Sequence, residues 1–379
     1  MYQPTVGAVM MLGSGGDSPQ EQLVLRGQRA AALDLIDVLQ AEAIAPVVVA
    51  APSLDWLPAD LNVIREVDEP GAPFHFGRRL AALVDRYDLS PVMYFGGGSA
   101  PLVDRSMVNV IAGMLCRAGA GGPGGIPSHI ALTNNLHSSD WLALTDLADA
   151  LPIIRQADRD NSLAWLLHNS GEFEVRVIAG MRPAASLDLD TPSDLALMAH
   201  HPGCLPHLAE VVQDEQLRAV PVEEIAAIAA TPESHLALIG RVSPAAWQAL
   251  NRATQCWVRV YAEERGMVAS GRIERGEVQS LLGLMIRQQG ARAFFHALAG
   301  MCDAAIIDSR PIMASQGVWP SDADRFASDL FLVDAIQDPW LREFTAAAAE
   351  APIPVILGGH SVVAGGLYAL IEIIEKMHS

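Results

Sequence analysis

Two aspartates, Asp188 and Asp190, are the residues of this chain whose type and spacing point most directly to chemistry. Because side chains alternate along a strand, carboxylates two residues apart face the same side. Thr191 and Pro192 follow at once, and they predict a helix with Thr191 as its N-cap and Pro192 as its first residue. Such a pair beside a helix start suits a divalent cation and a phosphate. A surface strand followed by a capped helix explains the same residues, so the preceding segments are needed to choose between this interpretation and a binding site.

Strand-like and helix-like segments alternate ahead of this motif. Short apolar runs predict buried strands, and apolar residues at helical spacing predict helices. Their alternation predicts an α/β fold with a mostly parallel sheet in a three-layer arrangement. The expected strands are residues 6–12, 45–51, 62–65, 91–95, 129–133 and 174–178, and the expected helices are residues 25–41, 76–87, 106–117, 161–169 and 194–201, with a glycine-rich stretch at 118–125.

The second half of the chain has the same style without repeating the sequence. It predicts a second, smaller α/β domain of unknown role at residues 221–379, after a first domain at residues 1–203. Gly283 and Gly290 interrupt a helical region at 277–299. The expected strands are residues 235–239, 256–261, 304–307, 331–335 and 352–357, and a helix over 362–377 is expected to close the chain.

Composition excludes several classes of protein. Apolar residues make up 51% of the 379 residues and charged residues 18%, which is typical of a globular chain. The net charge of −19 argues against nucleic acid or an anionic membrane as a partner. The chain has four widely spaced cysteines, no basic N-terminal region and no apolar run of the roughly 18 residues that a membrane span requires. We therefore expect a cytoplasmic protein, and leave open that it forms a homo-oligomer.

Four segments within the first ~200 residues carry a resemblance to a known family, in the family's order. They are the glycine loop after the first strand, the glycine run before Pro101 and Leu102, the Thr-Asn-Asn run at 133–135, and the closing Asp-Leu-Asp-Thr-Pro-Ser-Asp-Leu run at 188–195. Together they resemble the nucleotidyltransferase superfamily with the glycosyltransferase-A-like fold, nearest to the molybdenum-cofactor guanylyl- and cytidylyltransferases and the 2-phospho-L-lactate guanylyltransferases. The resemblance implies a nucleotide-diphospho-sugar transferase-like sheet.

The resemblance also implies an activity and the residues that carry it. The activity is transfer of a nucleoside monophosphate from a nucleoside triphosphate to a small phosphorylated or hydroxylated acceptor, with release of pyrophosphate. Asp188 and Asp190 would be catalytic and would hold Mg²⁺. The implied nucleotide-binding residues are Gly13, Ser14, Gly15, Gly16, Arg26, Gly97, Gly98 and Ser99, and the implied acceptor-binding residues are Thr133, Asn134, Asn135 and Ser162.

Two departures from the family pattern keep other functions open. The family's glycine loop continues into an Arg and a Lys, whereas here it continues into Asp17. The family's metal-binding acid aligns with Ser99, and a hydroxyl is a weaker Mg²⁺ ligand than a carboxylate. One alternative is therefore a non-catalytic nucleotide or sugar-nucleotide binder. Another is a scaffold or oligomerising protein without a small ligand, in which the glycine runs are tight turns and close backbone packing.

The second half offers further polar groups next to predicted strands. Asp308 and Arg310 follow the strand at 304–307, where ligands bind in open parallel sheets. His360 and Ser361 lie in a glycine turn that is suited to an anion. Capping and surface ion pairs are the favoured interpretation of the Asp- and Arg-rich run at 322–329. The donors His200, His201, Cys204 and His207 fit no familiar zinc spacing, so a helix end and a turn are the favoured interpretation there.

Overall fold

The computed structural model describes residues 5–69, 71, 73–119, 129–145, 147–178, 183–268 and 270–378. It divides into two compact units. The first comprises Met1–Ser14 and Gln28–Asp188, and the second comprises Gly15–Gly27 and Leu189–Ser379. Each unit is built around a mostly or wholly parallel sheet with helices, which confirms the predicted α/β class and the second, smaller sheet.

The first unit contains a seven-stranded sheet. Its strands are β1 (Gly7–Met11), β2 (Val47–Ala51), β3 (Ile64–Val67), β4 (Val92–Gly96), β5 (Ile130–Thr133), β6 (Trp141–Leu144) and β7 (Glu174–Val177). They lie in the order β3-β2-β1-β4-β6-β5-β7. The pairings of β6 with β4 and with β5 are antiparallel, and all the others are parallel. The carboxyl ends of the other six strands therefore meet at one edge of this sheet.

Helices cover this sheet because its central strands are apolar on both faces. Every residue of β1, β2 and β4 is buried. One face packs with the buried sides of α2, α4 and α5 in a single apolar cluster, and α3 contacts β5 and β6. The helices are α1 (Pro19–Ala41, of which Pro19–Gly27 is grouped with the second unit), α2 (Phe76–Arg86), α3 (Arg105–Gly119), α4 (Leu147–Ile154) and α5 (Leu163–Ser170).

Three elements of the first half differ from the sequence prediction, and the first is helix α4, which was not predicted. The strand β6 was not predicted, since its four residues Trp141–Leu144 are too short to show a period and follow β5 without an intervening helix. Helix α1 begins at Pro19 rather than at residue 25, because Ser18 and Glu21 form a capping box at its start. Of the predicted glycine-rich stretch at 118–125, residues 120–125 lie outside the described residues.

The second unit contains a four-stranded sheet in which every pairing is parallel. Its strands are β8 (His235–Gly240), β9 (Trp257–Ala262), β10 (Ala304–Asp308) and β11 (Val355–Gly358), in the order β11-β10-β8-β9. Its helices are α6 (Pro192–His200), α7 (Pro206–Val211), α8 (Glu215–Arg218), α9 (Val222–Ala230), α10 (Pro244–Ala253), α11 (Leu281–Gln289), α12 (Ala291–Ala299), α13 (Arg310–Ser315), α14 (Asp322–Asp329), α15 (Pro339–Ala349) and α16 (Gly365–Met377).

The strand predicted at 331–335 is wrong. Phe331 has a positive φ of 57°, and Val333–Ala335 form a single turn of 3-10 helix after α14. A short apolar run of this kind cannot be assigned to strand or helix from its pattern alone. The helical region at 277–299 is broken at Gly290, as predicted, whereas Gly283 lies inside α11.

The division between the units falls at Asp188 and Leu189, and the predicted domains at residues 1–203 and 221–379 stay a prediction. Helix α6 belongs to the second unit because it contacts α8, α9, α16 and β11 there. Within the described part of the chain, no helix combines the length and the hydrophobicity that a membrane span requires.

Candidate functional site

The carboxyl ends of β1 and β4 form the candidate ligand edge of the first unit. These two strands are parallel neighbours, and the chain places β2 and β3 on one side of β1 and β4 on the other. In open parallel sheets the crevice at such a change of strand order is where ligands bind. The predicted residues Gly13 and Ser14 follow β1 directly, and Gly97, Gly98 and Ser99 follow β4.

The two loops approach each other so closely that glycine is needed in one of them. A Cβ atom on Gly97 would lie 3.3 Å from the Cα atom of Leu12, and Gly98 has a φ of 81°. Both positions therefore restrict side chains. Gly13 differs, because a Cβ atom there would meet nothing within 4 Å, and both Gly13 and Ser14 are exposed. Close packing explains the glycines after β4, while the loop after β1 leaves its backbone accessible.

The backbone of Asp188 pairs with the turn that follows β4 at this edge of the sheet. It forms an isolated antiparallel bridge with Ser99, so the predicted acidic motif joins the turn after β4. Leu187 and Leu189 are buried while Asp188 is half-buried and Asp190 is exposed, as the expected alternation requires. The Ser99 hydroxyl is buried and donates a hydrogen bond to the Gly96 carbonyl at 2.9 Å, so it stabilises the turn.

The predicted acceptor-binding residues lie along the neighbouring strand ends. The Thr133 hydroxyl donates to the Trp141 carbonyl at 2.9 Å and is fully buried. The Asn134 amide donates to Asp140 Oδ2 at 2.5 Å. Asn135 is exposed, and the Ser162 hydroxyl donates to the Arg159 carbonyl at 2.7 Å. Thr133 and Asn134 therefore have structural partners, and the exposed Asn135 accepts through Oδ1 from the His137 amide at 3.0 Å.

A group of carboxylates at the same edge was missed by sequence reasoning. The buried Tyr94 hydroxyl donates to Asp160 Oδ2 at 3.4 Å. Burial raises the pKa of Tyr94 well above its usual value, and the charges of Asp160, Asp188 and Asp140 raise it further. Burial also raises the pKa of Asp160. A tyrosine hydroxyl in the middle of an apolar strand was the available signal, because a buried hydroxyl needs a partner.

Glycine at position 96 makes room for this group. A Cβ atom there would lie 3.0 Å from Asp160 Oδ2 and 3.3 Å from the Asp140 carbonyl oxygen. The Gly96 amide donates to that same carbonyl at 3.1 Å, which ties the end of β4 to the turn before β6. Sequence reasoning assigned Gly97 and Gly98 to nucleotide binding and gave Gly96 no such role, and the absence of a side chain at Gly96 admits the Asp160 carboxylate.

The remaining predicted residues belong to the second unit. Glu21 closes the turn after Gly16, because its carboxylate accepts from the Ser18 amide at 3.1 Å and occupies the space of a Gly16 side chain. Gly15 packs against Leu25, and Arg26 is exposed on α1. An acidic side chain thus fills the helix start where a phosphate was predicted to lie. The roles of Gly15, Gly16 and Arg26 in nucleotide binding stay predictions.

Asp190 is also grouped with the second unit, at the start of α6. Its amide donates to Asp194 Oδ2 at 3.1 Å, and the Thr191 amide and hydroxyl donate to the same oxygen at 2.8 Å each. The predicted N-cap at Thr191 and the predicted helix start at Pro192 are confirmed. The role of Asp188 and Asp190 in binding Mg²⁺ stays a prediction.

Other polar clusters weighed from the sequence have structural partners. His200 lies 3.0 Å from Glu223 and His201 lies 3.3 Å from Glu372. Among the described residues no group of three or more His, Cys, Asp or Glu side chains is arranged to hold a metal. Asp324 accepts from the amides of Gln337 and Asp338 at 2.8 Å each, and Arg325 forms an ion pair with Asp322, so these residues of that run have structural partners.

Comparison with known proteins adds little. No protein-family model matches the chain, and no curated protein matches it. Among solved structures, UDP-GlcNAc 2-epimerase from Methanocaldococcus jannaschii aligns with 98% of this chain and 92% of its own, at 11% identity and a TM-score of 0.23. A TM-score this low does not establish a shared fold. The chain is therefore described by its own architecture, a mostly parallel seven-stranded sheet and a second parallel sheet of four strands.

Proposed function

We propose that the first unit binds a nucleoside triphosphate at the carboxyl ends of β1 and β4, and transfers its nucleoside monophosphate to a small phosphorylated or hydroxylated acceptor. One observation carries the proposal. The backbone bridge between Ser99 and Asp188 joins the acidic motif to the turn after β4, beside the loop of Gly13 and Ser14. Asp188, Ser99 and the loop of Gly13 and Ser14, to which the resemblance gives roles in nucleotide transfer, therefore lie at the same edge of the sheet.

The chemistry would be an in-line attack of an acceptor oxygen on the α-phosphate, with pyrophosphate leaving. Such reactions depend on positioning and on neutralising charge more than on covalent catalysis. The exposed amides of Gly13 and Ser14 would donate to phosphate oxygens, and the exposed Asn135 would orient the acceptor. Bound Mg²⁺ would neutralise phosphate charge, and the half-buried carboxylate of Asp188 has the oxygen ligands that this ion prefers.

A second candidate function, nucleotide or sugar-nucleotide binding without catalysis, is favoured by two side chains. The Ser99 hydroxyl stands where the family has a metal-binding acid, and it donates to a backbone carbonyl. Glu21 brings a negative charge to the start of α1, where the family has basic residues. Both features weaken charge neutralisation at a triphosphate.

A thermal-shift experiment separates these functions. The full chain is heated with each nucleoside triphosphate, with and without Mg²⁺. The enzyme proposal predicts a raised Tm that requires Mg²⁺, together with pyrophosphate release in the presence of an acceptor. A raised Tm without Mg²⁺ and without pyrophosphate supports the non-catalytic binder. No change in Tm with any nucleotide contradicts both and supports a scaffold.

Substitutions at the predicted site show which residues the Mg²⁺-dependent rise in Tm requires. Asp188→Asn is expected to remove the Mg²⁺-dependent rise in Tm, because it removes a charge at the strand edge and keeps the side-chain shape. Asp190→Ala tests the second predicted ligand in the same way. Asp149→Asn is the matched control, since Asp149 is an exposed carboxylate on α4 of the same unit. An Asp188→Asn variant that binds as the parent does would contradict the site assignment.

A further inference from the structure

The sheet of the second unit has its own change of strand order, between β8 and β10. β8 pairs with β9 on one side and with β10 on the other, and β11 lies beyond β10. This is the arrangement in which a crevice opens at the carboxyl ends of the two central strands. Nothing in the proposed function uses this edge.

Backbone hydrogen bonds join the ends of neighbouring strands at this edge, and we call these joined strand ends the floor of the edge. The Glu263 amide after β9 donates to the Gly240 carbonyl of β8 at 3.0 Å, and the Ser309 amide after β10 donates to the Gly358 carbonyl of β11 at 3.1 Å. Gly240 has a φ of 107°, and a Cβ atom there would lie 2.7 Å from Asp308 Cβ. Only glycine allows this approach of β8 to β10.

Two buried ion pairs lie in the floor. Asp308 is fully buried and accepts from Arg241 Nε at 2.6 Å and from Arg241 Nη2 at 3.0 Å. Arg310 binds Asp329 through two hydrogen bonds of 2.6 Å each and donates to the Gly358 carbonyl at 3.0 Å. The buried carboxylates are therefore neutralised by these arginines. Structural stabilisation is enough to explain Arg310 and Asp329.

Structural stabilisation does not explain the donor groups of Arg241 and Arg265 that remain above the floor. Arg241 Nη1 has no hydrogen-bond partner among the described residues, and 16% of its side chain is exposed. Arg265 is exposed just beyond Glu263, and its guanidinium forms no hydrogen bond or ion pair with the described part of the chain. Arg265 and part of the Arg241 side chain are therefore accessible to solvent.

His360 is close enough to Arg241 and Arg265 for the charges of both to lower its pKa. It is half-buried, in the turn after β11, and bonds to the backbone of Arg241. Burial lowers the pKa of His360 to about 4, with further lowering by the charges of Arg241 and Arg265 against the opposing effect of Asp308. The two arginines therefore act on a neutral imidazole, and Asp308, whose charge opposes theirs, is already paired with Arg241.

We propose that this edge of the second unit binds a small ligand through an oxyanion, a phosphate or a carboxylate group. Arg241 Nη1 and the Arg265 guanidinium are its donors, because the neutral His360 ring has one N–H, which already bonds to the backbone of Arg241. Guanidinium groups bind both kinds of oxyanion through paired, charge-assisted hydrogen bonds. The two hydrogen bonds to Asp308 hold Arg241 in place before the ligand arrives. This site does not depend on the nucleotide site proposed for the first unit.

Calorimetric titration of the full chain with inorganic phosphate and, separately, with succinate tests the proposal. Both titrations are done at neutral pH without Mg²⁺. We expect saturable binding of at least one of the two, and the arm that binds identifies the oxyanion. Arg265→Gln is expected to weaken that binding about tenfold, because one charge-assisted contact is lost. His360→Gln is expected to weaken it less, because the neutral ring provides no charge-assisted contact.

The control is Arg292→Gln, which removes an exposed arginine on α12 that pairs with Glu350. Arg241 is a poorer test, because its loss leaves Asp308 buried without its partner and endangers folding. Absence of binding for both probes overturns the proposal. It is also overturned if Arg265→Gln binds as the parent does, or if Arg292→Gln loses as much. Asp188→Asn is expected to leave this binding intact, so failure of the nucleotide site is distinguishable.

Discussion

Asp194 is a buried carboxylate at the first turn of α6. Burial raises its pKa to about 7, and the charge of Asp190 raises it further against the hydrogen bonds from Ser361 and Thr191. The folded state therefore favours the protonated carboxyl more than the unfolded state does, where the ordinary value is 3.8. This contribution to stability is fully present below the unfolded pKa and is lost as the pH rises through about 7.

Asp194→Asn is expected to weaken the pH dependence of the free energy of unfolding. Asp194→Asn keeps an oxygen that accepts from Thr191 and adds an amide that donates to Ser361. Its free energy of unfolding should therefore fall less than that of the parent between about pH 4 and pH 8, where the parent loses up to roughly 1.4 kcal/mol per pH unit. Urea unfolding across this range measures it, and Asp149→Asn is the control. Equal slopes for Asp194→Asn and the parent would contradict the pKa assignment.

Gly240 supports a second prediction at the scale of one residue. Gly240→Ala combines a φ of 107° with a Cβ atom 2.7 Å from both Asp308 Cβ and the Asp308 carbonyl oxygen. We expect a loss of about 1–3 kcal/mol or more in the free energy of unfolding, measured by chemical denaturation. Gly300→Ala is the control, because Gly300 has a φ of −76° and its nearest contact would be at 3.4 Å. Equal effects of the two substitutions would exclude strain at Gly240.

At the scale of elements, the start of α1 shows how a local motif sets a boundary. Ser18 accepts from the Glu21 amide at 3.2 Å, and Glu21 accepts in return from the Ser18 amide at 3.1 Å. This exchange satisfies two amides that a helix start otherwise leaves without partners. The apolar periodicity used to predict the helix begins only at Leu25, so the first turns were missed.

Removing the capping box should destabilise the chain by a predictable amount. Ser18→Ala and Glu21→Ala are each expected to cost about 1 kcal/mol in the free energy of unfolding. Glu21→Gln is the matched control and is expected to cost less, because glutamine also closes a capping box. Denaturant unfolding of the three variants gives the comparison. A Glu21→Gln variant as unstable as Glu21→Ala would show that charge rather than capping matters there.

Most strands were predictable because burial leaves a pattern in the sequence, whereas several helices, among them α4, α9 and α10, were not predicted. Fully buried strands such as β1 and β2 are unbroken apolar runs, and α2 has apolar residues at helical spacing. The reversed strand β6 and the turn at 331–335 were not predictable, since four or five apolar residues fit several structures. Contacts with residues distant in the sequence determine the structure of both segments.

The candidate site was predictable only in part for a similar reason. The motif around Asp188 was visible because its residues are adjacent in sequence. Asp160 was missed because its partner, Tyr94, lies far away in the chain, and the pair forms only when β4 and the turn before α5 meet. The division of the loop residues between two units could not be read from their sequence spacing either.

At the scale of the whole molecule, the net charge of −19 sets an expectation about partners. A strongly acidic surface repels phosphate backbones at long range, although local donors can still bind one phosphate group. We expect no saturable binding to duplex DNA, single-stranded RNA or vesicles of anionic lipid at physiological ionic strength. Fluorescence anisotropy and vesicle flotation measure this. Saturable binding that weakens with added salt would contradict the expectation.

The central claim is that nucleotide binds at the carboxyl ends of β1 and β4, and hydrogen exchange with mass spectrometry tests its location directly. The full chain is labelled with and without each nucleoside triphosphate and Mg²⁺. The account predicts slower exchange in peptides that cover Gly13, Ser14 and 97–99, and little change at the amino ends of the same strands. Protection confined to other segments, or no protection with any nucleotide, would contradict it.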